Sequence, residues 1–144
     1  MSLYNPTRDQ ARQFFIESWR KHQVRELLSP LEDIAIRIIL LHPEYHALLA
    51  NNDQALSRDW TPESGEANPF LHLSLHLAIE EQLAIDQPAG LRPAYEAVLR
   101  QKNDPHAALH DVLECLGETL WQAQRSGGEI DGKTYVECVA RRAK

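Results

Sequence analysis

Five of the eight prolines directly follow a residue that caps helix N-termini: Asn5-Pro6, Ser29-Pro30, Thr61-Pro62, Asn68-Pro69 and Asp104-Pro105. Proline is tolerated at the first helical position, where its missing N–H has no partner to lose. The preceding Asn, Ser, Thr or Asp side chain accepts from the next free N–H groups. Each pair therefore marks a helix start, and the chain is punctuated as a series of helices. The apolar set agrees, with 20 Leu, 16 Ala and 8 Ile against 5 Val, and no alternating strand pattern of useful length occurs.

The first helix is expected from about Thr7 to Gln23, with Thr7 and Gln10 at capping-box spacing and Ala11, Phe14, Phe15 and Trp19 on its apolar stripe. The second starts at Ser29-Pro30, with Glu32 closing another capping box. Pro43 then interrupts, so His42 is expected to cap a short helix running through Leu49. Residues 51–67 are polar and turn-rich, and Trp60 there is expected to anchor a loop. Phe70 to Ile85 is apolar on nearly every side, as a central, buried helix would be. A short helix carrying Ala94, Tyr95, Val98 and Leu99 follows. The longest begins at Asp104-Pro105 and stops at Gly127-Gly128, with Trp121 expected in the core. Asp131 and Thr134 open a last helix through Val139. The expected fold is all-α, a compact bundle of five to seven helices in one domain spanning residues 1–144.

With 144 residues, 43% hydrophobic and 25% charged, the chain has ordinary globular composition. Its formal charge of −6 ranks a general nucleic-acid binder low, and no apolar run approaches the ~18 residues of a membrane span. The first residues show neither a basic nor an apolar signal region, so a cytoplasmic protein is expected. Cys115 and Cys138 are too few for a disulfide scaffold. Each lies in an apolar helical setting and is read as a small core residue, with Cys115 beside Glu114 as an alternative extra ligand or redox thiol.

Seven histidines carry the chemistry, and six fall in one repeated spacing. His42 and His46, His72 and His76, and His106 and His110 each form His-x-x-x-His. On a helix, positions i and i+4 share a face and can turn two imidazoles toward one cation. Seven histidines scattered at random would give about 0.3 such pairs. Two pairs extend by the same step to a carboxylate, His76 to Glu80 and His110 to Glu114. These N/O sets suit a transition metal such as Zn, Fe, Mn or Ni. The metal reading thus takes ligands from His72, His76, His106 and His110, completed by His42, His46, Glu80 or Glu114. Two other readings stand beside it. One is a non-enzymatic interaction or scaffold protein in which buried histidines hydrogen-bond to one another. The other is a small anionic ligand held at clustered helix N-termini.

His42-Pro43-Glu44-Tyr45-His46, Trp60-Thr61-Pro62-Glu63, the run Asn68 to Ile79, Ile85-Asp86-Gln87-Pro88 and Trp121 to Arg125 resemble a bacterial family called domain of unknown function 1841. The likeness extends over nearly the whole chain. It implies a small cytosolic bacterial protein and carries no activity with it. More loosely, His72/His76 and His110/Glu114 look like the metal-holding elements of hemerythrin-like and DinB-like bundles. The remaining spacing departs from both, and Pro43 breaks the first pair.

Overall fold

The computed structural model describes residues 8–51, 55–56, 58 and 68–144. Among these, seven α-helices and one 3-10 turn are seen and no strand, so the helical class expected from the sequence is the one observed. The helices are α1 (Arg8–Gln23), α2 (Pro30–Leu40), α3 (His46–Ala50), α4 (Pro69–Ile85), α5 (Leu91–Lys102), α6 (Pro105–Ser126) and α7 (Gly132–Arg142), with the 3-10 turn at Pro43–Tyr45 between α2 and α3.

Three of the five proline signals lie within described residues, and each opens a helix. At α2 the capping box is complete: the Glu32 N–H donates to Ser29 Oγ at 3.2 Å, and the Ser29 N–H donates to Glu32 Oε1 at 2.8 Å. The Asn68 carboxamide accepts from the Phe70 N–H at 2.9 Å, and Asp104 accepts from the His106 and Ala107 N–H groups at 3.1 and 3.3 Å. Asp131 does the same for α7. Gly127, at φ +73°, ends α6 in the left-handed conformation that glycine adopts without a Cβ penalty. Asn5-Pro6, Thr7, Trp60 and Thr61-Pro62 lie outside the described residues.

Contacts divide the chain into two units, with the boundary between Leu77 and Ala78 inside α4. In the first unit, α1 packs on α2 and α3. Phe15, Ile16 and Trp19 of α1 join Ala35, Ile36, Ile38 and Ile39 of α2, Leu49 of α3, and Phe70, Leu73 and Leu77 of α4 in one buried cluster. Arg12 is buried with it; its guanidinium donates to the carbonyls of Ala55, Leu56 and Arg58 at 3.1, 3.3 and 2.8 Å and lies over the Phe70 ring. In the second unit α5, α6 and α7 pack on one another, burying Leu91, Val98, Val112, Leu116, Tyr135 and Val139.

Three expectations change. Cys115 of α6 and Cys138 of α7 are buried core residues as expected, but they are joined in a disulfide, with Cα atoms 5.8 Å apart. Their helices are neighbours only in the folded chain, so spacing of 23 residues gave no sign of it. Trp121 is exposed rather than in the core and is covered by the Arg125 guanidinium, 4.7 Å from its ring centre. In α4, Leu71 and Ile85 are exposed, so that helix has a solvent side despite its composition.

Candidate metal centre

The site in the first unit begins with Pro43. Proline lacks the N–H that α2 would need to continue and disfavours helical conformation in the residue before it. Accordingly α2 ends at Leu40, and His42 adopts φ −128°, ψ 67°. His42 starts the next turn, as expected, but its side chain makes no cap hydrogen bond. The imidazole turns inward and is 2% exposed.

Its Nδ1 lies 2.8 Å from the Ile38 carbonyl oxygen. A carbonyl can only accept, so Nδ1 carries the hydrogen, and the tautomer this selects has its lone pair on Nε2. Metal-ligating histidines usually donate their other ring N–H to a carbonyl or carboxylate in this way. The lone pair faces α4, where helical spacing sets His72 and His76 on one face. His72 Nε2 is 3.1 Å from His42 Nε2. The three ring centres form an equilateral triangle, each side 4.8 Å, with the planes crossing at 62–75°. One ligand atom from each of His42, His72 and His76 lies within 4.8 Å of those of the others.

These dimensions can be compared with coordination geometry. At metal–nitrogen distances of ~2.0–2.1 Å, adjacent ligand nitrogens stand roughly 2.9–3.4 Å apart between octahedral and tetrahedral angles, and ring centres roughly 4.5–5.2 Å apart. Both measured separations fall inside these windows. Tyr45, from the 3-10 turn, stacks on the outer face of His42 at 5.4 Å with planes 5° apart and meets the His72 ring edge-on at 6.1 Å. Burial, and then the charge of neighbouring Glu44, hold its hydroxyl above the ordinary tyrosine range.

His46 opens α3 with its Nε2 3.0 Å from the Ile39 carbonyl and its ring stacked on Trp19 at 4.3 Å. Pro43 explains the split from His42: with a 3-10 turn between them, the two residues do not share a helical face. His106 and His110 pair on α6 in the second unit, ring centres 4.2 Å apart. Glu114 is exposed and pairs with Arg142 at 2.7 Å. Glu80 is half-buried on α4; after burial, its charge is the second cause raising the Tyr95 hydroxyl. Sequence reasoning missed the Ile38 carbonyl and Tyr45. Both lie within four residues of His42, so its immediate neighbours were the available signal.

The family model described as domain of unknown function (DUF1841) matches residues 7–141. No curated protein and no solved structure gives a match to the chain.

Proposed function

Since the chain belongs to that family of unknown function, the reading must come from its own residues, and we propose that it is a transition-metal-binding protein whose centre is built on His42, His72 and His76. The observation that carries this is the triangle of buried and half-buried imidazoles, with His42 fixed by Ile38 so that its lone pair points at the other two rings. Neutral imidazole nitrogens suit Zn, Fe, Ni or Mn. Three ligands on one side of an ion leave at least one position for a fourth donor. A further protein side chain can take it. If instead water takes that position, the metal can activate it for chemistry.

The test is elemental analysis of tag-free protein, followed by calorimetric titration of metal-free protein with Zn(II), Ni(II), Mn(II) and, without oxygen, Fe(II). Roughly one equivalent is expected for at least one ion, lost in the His72→Ala/His76→Ala double variant. Failure of all four ions to bind would overturn the proposal.

One observation favours a second reading. A separation of 3.1 Å between two Nε2 atoms is also a hydrogen-bond distance if His72 carries the proton there. In that case the rings are a structural polar cluster, and added metal changes neither melting nor histidine NMR signals.

A further inference from the structure

We propose that the Cys115–Cys138 disulfide is a redox-operated latch on the C-terminal helix, opened by a dithiol reductant. The proposal concerns the second unit alone and stands apart from the metal reading.

α7 packs on both α5 and α6, and the bond adds a covalent link to that packing. The 11 residues of α7 are fewer than the ~12–15 at which an isolated helix becomes marginal in water, so docking has to maintain it. Only Tyr135, Cys138 and Val139 are buried along it, and one of these is the cysteine itself. The start of the helix sits against the turn before α5: a Cβ at Gly132 would lie 2.8 Å from Pro88 Cβ, so this approach needs glycine. Its end is tied through Arg142 to Glu114 at 2.7 Å and Asp111 at 3.3 Å. The Arg142 and Glu114 side chains are 36% and 61% exposed, and pairs so exposed hold weakly. Between these ends, the Tyr135 hydroxyl donates to Gln82 Oε1 at 2.7 Å, and the disulfide joins the middle of α7 to α6.

Both cysteines are buried, but the residues differ in exposure, Cys115 being 0% and Cys138 8% exposed. A thiolate of the reductant therefore attacks Cys138 Sγ. The S–S bond breaks, and Cys115 leaves as thiolate and takes up a proton. The reductant's second thiolate then attacks its own sulfur in the mixed disulfide and releases Cys138, which is protonated in turn. The protein gains two electrons and two protons, and the dithiol becomes a cyclic disulfide. Once the link is gone, α7 opens more often and uncovers the faces of α5 and α6 on which it packs.

Hydrogen exchange read by mass spectrometry tests this on the full chain, oxidised and in excess dithiothreitol, and on Cys115→Ser/Cys138→Ser. Protein purified without reductant should show no free thiol on denaturation, and two after reduction. Amides of 132–142 should then exchange on the order of 10²-fold faster, the factor chain entropy assigns to a link across this separation, while those of α1 and α2 keep their rates. Two free thiols before reduction, unchanged exchange after it, or loss of helical circular dichroism throughout the chain would overturn the latch. Should the double variant fail to fold, reduction of the native protein alone decides.

Discussion

Replacing His72 and His76 by leucine together separates a metal centre from a structural cluster, because the two readings place the stabilisation in different states. A ligand that binds only the folded protein adds RT ln(1 + [L]/Kd), about 2.7 kcal/mol at one hundred times Kd. For a chain of about this size each kcal/mol moves the midpoint by roughly 2–4 °C, so the matching metal should raise Tm of the native protein by roughly 5–10 °C. In the double variant the metal-free protein trades two imidazoles for apolar side chains of similar bulk. His42 Nε2, 3.1 Å from the lost His72 nitrogen, then loses that one hydrogen bond, worth about 0.5–1.5 kcal/mol, offset in part by burial of leucine at position 76, which is 2% exposed. The metal-free melts should thus differ by only a few degrees, while the metal-induced shift falls below about 1 °C. Scanning calorimetry with and without Zn(II), Ni(II), Mn(II) and Fe(II) reads both quantities. A native protein indifferent to every ion, or a variant that keeps the full shift, refutes the reasoning.

Three further outcomes follow from single residues. Hydrogen bonds from the Ser29 backbone and Lys21 lower the Glu32 carboxyl, so its contribution is present above the unfolded carboxylate range and lost as pH falls through the lowered value. Glu32→Ala should cost about 1 kcal/mol at pH 7 and flatten the acid limb of a urea-melt series; an unchanged limb would contradict this. Burial pushes the Tyr135 hydroxyl well above its usual range, so its share of stability is complete below about pH 10 and declines above it. Tyr135→Phe should remove that alkaline decline and cost about 1 kcal/mol through the orphaned Gln82, as pH-dependent melts would show. Gly132→Ala places a methyl carbon against the Pro88 ring and should destabilise by about 1–3 kcal/mol; a neutral result in denaturant melts would show that the turn yields.

The helix starts were legible because a cap is a local device. Ser29, Asn68, Asp104 and Asp131 each bond to N–H groups two or three residues ahead, so residue type and order suffice. The histidine pairs on α4 and α6 were equally legible as pairs, since the helical repeat alone sets i and i+4 on one face. What the linear chain carries is this short-range information: where helices begin and end, and which side chains share a side.

Which pairs meet is a different kind of fact. The break at Pro43 was visible, yet only folding sends His42 toward α4, 30 residues away, and His46 against Trp19. The union of Cys115 with Cys138 and the exposure of Trp121 depend in the same way on which helix faces pack. Cap bonds are satisfied within one turn of backbone, whereas the convergence of imidazoles or thiols is fixed by burial of apolar faces from distant segments, and that burial is non-directional until tertiary packing selects the partners.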